Sequence, residues 1–459
     1  MSNFWDSNVW GSLNMIAILL ISLLLANILK RTIKPLRHSL IPTSVLGGGV
    51  LLIIAGIFNI FSETPLFETK FFGGNGYTFL EIITYHALAL GFIASTFKSS
   101  KGKLSKERTV EIFNTGVTTV ATYLLQAVVG FTITLITALI VSGFFPAAGV
   151  LLPFGYGQGT GQALNYGNIY ETQFGFDGGK SFGLTIAALG FLSASIGGVI
   201  YLNILKKRGK IKIAGEDGSR MSEPVEGENE IPMQGSIDKL TIQVALVIVA
   251  YMLAYMLMAL LGSLLPNMRA VIYGFNFLLG VLAATIVKAV IGTLRRKSIM
   301  KKEYINDFLM TRTSNFFFDL MVVAGIAAIR LGILEKYWGI MLILGVVGLV
   351  ITFIYNLFVA NKLFPKYKHQ QFMMMYGMLT GTASTGTILL REIDEDFKTP
   401  AADNMVYQNF PAIVFGFPLM FLATLAPVKP ILTLIILTVF FLVMNIILFR
   451  SFIFKKKKK

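Results

Sequence analysis

Long, mainly apolar runs alternate with short polar ones along the chain. The apolar runs cover residues 13–29, 45–61, 79–97, 117–145, 182–205, 240–265, 271–291, 314–334, 338–364, 405–425 and 431–454. A helix needs about 20 such residues to cross the hydrocarbon core of a bilayer, so the pattern predicts eleven membrane spans. Two more apolar stretches, 147–170 and 370–393, do not fit, because glycine, threonine and serine interrupt each near its middle. The first offers only residues 147–154 before its break. That is about 12 Å of helix at 1.5 Å per residue, less than half of a ~30 Å core. Both stretches are expected to enter the membrane and turn back, with tips near the midplane. Irregular backbone at that depth is tolerated only inside protein or beside a cavity.

Lysine and arginine orient the spans. Every odd-numbered span up to the ninth ends on a basic loop: Lys30 and Arg31, Lys98 and Lys101, Lys206 and Lys207, Arg295 and Arg296, Lys362 and Lys366. The chain closes on lysines 455–459, whereas the even-numbered spans end on sparsely charged loops such as 62–76. Basic loops stay in the cytoplasm. The N-terminus is therefore expected outside and the C-terminus in the cytoplasm, provided that neither broken stretch crosses.

The two halves echo each other. Gly155, Gly159 and Thr160 recur as Gly377, Gly381 and Thr382 at an offset of 222 (377 − 155), and Pro42 recurs as Pro266 at 224 (266 − 42). Each half reads as five spans with a hairpin between the fourth and fifth, and an odd number of spans inverts the second copy. The fold expected is an all-α polytopic membrane protein. Its first repeat is 1–205, with an outside-facing hairpin at 147–170. A polar cytoplasmic linker follows at 206–238. The second, inverted repeat is 239–426, with a cytoplasm-facing hairpin at 370–393, and 427–459 adds a helix with a lysine tail.

Composition agrees. Hydrophobic residues make up 54% of the 459 and charged ones 14%, against about 25% charged in a soluble domain. A cytosolic enzyme, a secreted domain and a disordered chain are excluded. Cysteine is absent and only three histidines occur, which removes disulfides, thiolate metal sites and a cysteine nucleophile. The net charge of +16 belongs to the basic loops and does not call for nucleic acid. The N-terminus lacks the basic region of a cleavable signal peptide, and its first apolar run is long enough to span.

Inverted repeats with paired interrupted segments point to a transporter whose site lies where the breaks meet. At the first tip, Gly155, Gly157, Gln158, Gly159, Thr160, Gly161 and Gln162 expose backbone groups to a ligand. The half-helix that follows aims its N-terminus at the midplane, where it suits a carboxylate. No lysine follows to make a phosphate loop. At the second tip, Gly381, Thr382, Ser384 and Thr385 offer further substrate contacts, and the hydroxyls of Thr380 and Thr387 suit Na+. Arg391 either reaches a substrate carboxylate or marks the cytoplasmic helix end beside Glu392 and Asp394. Asp319, with Asn315 nearby, is a candidate Na+ ligand or proton acceptor, since a carboxylate inside a span is costly. His86, and the polar residues Thr118, Thr119, Thr122, Gln126, Thr352 and Asn356, read as structural. The expectation is a secondary active transporter of a small carboxylate, with no enzymatic activity and no cofactor. A membrane enzyme would need a catalytic pair at matched depth, and a passive channel would show flux without a driving gradient.

Three motifs carry a resemblance: 41–49 (IPTSVLGGG), 157–161 (GQGTG) and 381–387 (GTASTGT). With these the chain resembles the bacterial sodium:glutamate symporter (ESS) family over about residues 13–425. The resemblance implies a homodimeric elevator-type transporter of the bacterial cell (inner) membrane, with a scaffold and a moving domain. It implies uptake of glutamate with Na+ as coupling ion, and lipids as the remaining partner. Tyr156 and Gln158 stand where the family has Gly and His, Gly386 where it has Pro, and Arg391 where it has Asn. These departures keep open a proton- or Na+-coupled carrier of another organic anion.

Overall fold

A computed structural model describes residues 3–98, 105–209, 230, 237–394 and 397–453. Every named element among them is helical. The first half contains α1 (Ser7–Thr32), α2 (Lys34–His38), α3 (Thr43–Phe61), α4 (Gly76–Phe97), α5 (Lys106–Ile140), α6 (Leu151–Tyr156), α7 (Gly159–Phe174) and α8 (Gly179–Lys207). The second half opens with α9 (Lys239–Leu264), α10 (Arg269–Gly274), α11 (Asn276–Arg296), α12 (Asp307–Ala327) and α13 (Trp338–Leu363). It continues through α14 (Lys368–Thr380), α15 (Ala383–Arg391), α16 (Ala401–Tyr407), α17 (Asn409–Leu425), α18 (Pro430–Leu448) and α19 (Arg450–Ile453).

Among the described residues, nine helices are long and apolar enough to cross a membrane, or ten if the pair α16–α17, bent by 54°, counts as one span. This is a membrane protein. Of the eleven expected spans, the eighth, 314–334, is not among these helices: α12 carries Arg312, Asn315 and Asp319 within its apolar sequence. The lysine tail and nearly all of the 206–238 linker lie outside the described residues.

Local signals set several helix starts. Ser105 caps α5 by accepting from Arg108 N at 3.2 Å, and Asp238 caps α9 through Leu240 N at 2.8 Å. A short side-chain acceptor there satisfies backbone N–H groups that the helix itself leaves open.

The chain forms two compact units, and each draws on both halves of the sequence. The first comprises 1–20, 64–103 and 220–325. Its core joins α4, α9 and α11 through residues such as Ile93, Phe97, Val247, Ala250 and Ala284. Outward faces of α9 expose Leu240, Ile248, Met256 and Leu264, as a lipid-facing helix requires. At one end the fully buried Lys239 pairs with Glu230 at 2.7 Å, and Asn306 Nδ2 donates to the same carboxylate at 2.7 Å. His86 Nδ1 meets the Tyr251 hydroxyl at 2.6 Å, which fits its structural reading.

The second unit comprises 21–63, 104–219 and 326–459. It holds both interrupted stretches together with α5, α8, α13 and α18. One of its cores packs Tyr201, Leu202 and Leu205 of α8 against Ala360 of α13 and Phe372, Met373 and Tyr376 of α14, with Leu389 of α15.

Candidate functional site

Both interrupted stretches are broken where the sequence suggests. In the first, α6 ends at Tyr156 and α7 starts at Gly159, whose φ of +76° is left-handed backbone that glycine adopts without strain. The arms fold back on each other, and the Phe154 and Tyr166 rings stack with centroids 3.9 Å apart. In the second, α14 ends at Thr380 and α15 starts at Ala383. These arms touch backbone to backbone: a Cβ placed on Gly377 would lie 2.7 Å from Gly386 Cα.

The two tips meet on α8. A Cβ placed on Gly190 would lie 2.5 Å from Thr380 O and 3.2 Å from Tyr156 Cα. No residue larger than glycine fits between them without moving backbone. One turn further on, Ser193 takes both hairpins' tyrosines. The Tyr156 hydroxyl contacts Ser193 Oγ at 2.8 Å and donates to Gly345 O at 2.5 Å, while Tyr376 OH donates to Ser193 O at 2.7 Å. Helix α5 ties down the tips from another side. Tyr123 OH donates to Gly157 O at 3.0 Å, and Gln126 Nε2 donates to Leu379 O at 2.9 Å.

Of the residues expected at the site, the structure thus brings the 155–162 tip and the Thr380–Gly381 break to one place. Gly155, Gly157, Gly159, Thr160, Gly161 and Gln162 are buried, and Gln158 is half-buried. The second tip is more open: Thr382, Ser384 and Thr387 are half-buried, whereas Gly381 and Thr385 are buried. Thr380 Oγ1 donates to Tyr376 O at 2.6 Å and Thr387 Oγ1 to Ala383 O at 3.0 Å. Both hydroxyl protons are therefore committed to helix carbonyls, which leaves the oxygens as acceptors. Asn315 and Asp319 lie exposed on α12, in the unit that carries neither hairpin. Arg391 is exposed at the end of α15, with its guanidinium 5.6 Å from the centre of the Phe397 ring. Asp394 serves its own loop, accepting from Lys398 N at 2.8 Å and Thr399 N at 2.9 Å.

Chemically the meeting point is rich in donors and free of formal charge. Residues 155–162 and 380–387 contain no carboxylate, amine, guanidinium or imidazole. The first N–H groups of α7 and α15 have no partner within their helices, and they carry the positive end of the helix dipole. Beside the α7 terminus, the buried Gln162 Nε2 has no hydrogen-bond acceptor among the described residues. An anion fits such a place, because it meets several N–H donors at once. Among the described residues no group of three or more His, Asp or Glu side chains is placed to hold a metal ion.

Three contributors escaped the sequence reading: Gly190, Tyr123 and Ser193. The run Gly190-Phe191-Leu192-Ser193-Ala194-Ser195 carried the only signal, since small residues let membrane helices approach closely. Compared with family models and with curated proteins, the chain matches none.

Proposed function

We propose that the chain is a secondary active transporter of the sodium:glutamate symporter (ESS) type. It takes up glutamate or a closely related small carboxylate together with Na+. One observation carries this reading: two helix breaks, from opposite halves of the sequence, converge on Gly190. Packing alone gives no reason to gather two sets of unsatisfied backbone groups at one point in a membrane protein, whereas a binding site does.

In this reading the N–H groups of Gly159, Thr160 and Gly161 and the Gln162 amide hold a substrate carboxylate. The tip residues Gly155, Gly157 and Gln158 shape its approach. Thr382, Ser384 and Thr385, beside Gly381, accept hydrogen bonds from a substrate ammonium. The unit with both hairpins is the moving part of an elevator in a homodimer of the bacterial inner membrane. A second reading, another organic anion at the same site, draws support from Tyr156 and Gln158, which replace the family's Gly and His.

Thermal unfolding of the purified protein in detergent tests the binding step. Glutamate in Na+ should raise the midpoint in a saturable way, and a neutral amino acid should not. A midpoint unmoved by glutamate and by every other small carboxylate tried contradicts the proposal.

A further inference from the structure

Helices α5 and α13 each carry a threonine followed four residues later by an amide: Thr122 and Gln126, Thr352 and Asn356. All four side chains are fully buried. They are bonded crosswise. Gln126 Nε2 donates to Thr352 Oγ1 at 2.9 Å, and Asn356 Nδ2 lies 3.5 Å from Thr122 Oγ1. The higher-numbered residue on one helix thus meets the lower-numbered one on the other, as antiparallel helices require. Each amide nitrogen also donates to a backbone carbonyl, Gln126 to Leu379 O and Asn356 to Thr352 O, both at 2.9 Å.

These bonds fix which way the amides face. Turning Gln126 over would set its oxygen against the Leu379 carbonyl, two acceptors in contact. Yet Gln126 Oε1 and Asn356 Oδ1, both buried, accept no hydrogen bond from any described residue. The neighbouring hydroxyls do not serve them, since Thr118 donates to Asn114 O at 2.7 Å and Thr122 to Thr118 O at 2.8 Å. Thr352 Oγ1 accepts from Gln126 Nε2 and serves neither amide oxygen. A buried acceptor left in that state is destabilising, and this bonded cluster holds two.

We propose that this cluster is a Na+ site, with Gln126 Oε1 and Asn356 Oδ1 as ligands. Hard oxygen donors suit an alkali or alkaline-earth cation, and the absence of a carboxylate from these four residues favours a monovalent one, because protein Ca2+ and Mg2+ sites rely on carboxylates. Gln126 also bonds the carbonyl of Leu379, next to the residue where α14 ends. The negative end of the α14 dipole therefore adds to the attraction, and ion binding acts directly on the second hairpin. The coupling role of the ion rests on the transport reading above; its binding does not.

The test is thermal unfolding of the full-length protein in detergent, without any carboxylate, in NaCl, KCl or choline chloride at equal ionic strength. We expect a saturable rise in the midpoint that is specific to Na+. Gln126→Leu and Asn356→Leu should each abolish the Na+-specific rise, while Gly49→Ala keeps it. A wild-type midpoint that follows ionic strength alone, equal in all three salts, overturns the site; water then satisfies the two oxygens. That result leaves carboxylate transport driven by protons intact. Conversely, a Na+-specific rise in a protein that accumulates no carboxylate supports the site and sinks the transport reading, so the two failures are distinct.

Discussion

Tyr123 and Gln126 stand one helical turn apart on α5 and hold different hairpins: Tyr123 OH donates to Gly157 O at 3.0 Å, and Gln126 Nε2 to Leu379 O at 2.9 Å. Each side chain should therefore restrain one tip and not the other. A hydrogen bond between membrane helices contributes about 0.6 kcal/mol on average and up to ~1.7. Hydrogen–deuterium exchange should then run roughly 3- to 20-fold faster in 151–162 for Tyr123→Phe and in 374–391 for Gln126→Met. Equal acceleration of both hairpins by either variant would show that α5 does not hold them separately.

Gly190→Ala should part the tips. The added carbon meets Thr380 O and the Tyr156 backbone, neither of which can swing aside as a side-chain end would. Overpacking of this kind costs about 1–3 kcal/mol. Because it falls on the meeting point, ligand affinity should drop by roughly tenfold or more. Gly49→Ala, where a Cβ would meet nothing within 4 Å, is the matched control. Unchanged binding by Gly190→Ala, measured by ligand-induced thermal shift, would separate the site from the tips.

Gln162 offers a cleaner separation of binding from folding. Its Nε2 has no acceptor among the described residues, so Gln162→Leu breaks no donated bond of that nitrogen. The bond lost is the long one that Gln162 Oε1 accepts from Asn165 Nδ2, 3.5 Å, so the midpoint temperature without ligand should change little. Affinity for a carboxylate should fall by roughly tenfold or more, since a hydrogen bond to a charged group is worth about 1.5–3 kcal/mol. A variant that is less stable yet binds normally would assign Gln162 to structure.

Arg391 should matter little to the ligand. It lies eight positions beyond Ala383 on α15, about 12 Å of helix, and its guanidinium covers the Phe397 ring. Arg391→Asn should change substrate affinity less than about twofold and stability by at most about 1 kcal/mol, the worth of an exposed cation–π contact. Competition assays with mono- and dicarboxylates would detect the contrary case, a shift in preference away from dianions.

The two breaks were legible because glycine and threonine crowd the middle of an apolar stretch, with a glycine at every second position of the first tip, which close helix packing does not need; the helices stop and restart there, 151–156 with 159–174 and 368–380 with 383–391. What the breaks would touch was not legible. Gly190 is one glycine in a helix with several, and only three-dimensional packing distinguishes it. The same holds for Gln126 and Asn356: their spacing from Thr122 and Thr352 is plain in the sequence, but the crosswise bonding depends on an antiparallel register set by tertiary structure. Asp319 stands apart: its charge inside an apolar run marks it in the sequence, and α12 belongs to the unit that carries neither break. Each unit mixes segments from both halves, so position along the chain says little about which unit a residue joins.

The most direct test is uptake of radiolabelled glutamate into proteoliposomes, with and without an inward Na+ gradient, at fixed pH and matched K+. Saturable accumulation that requires the gradient and is lost in Gly190→Ala is the predicted result. No accumulation of glutamate or of any other small carboxylate, under Na+ or proton gradients, in correctly inserted protein would contradict a transport function for the paired hairpins.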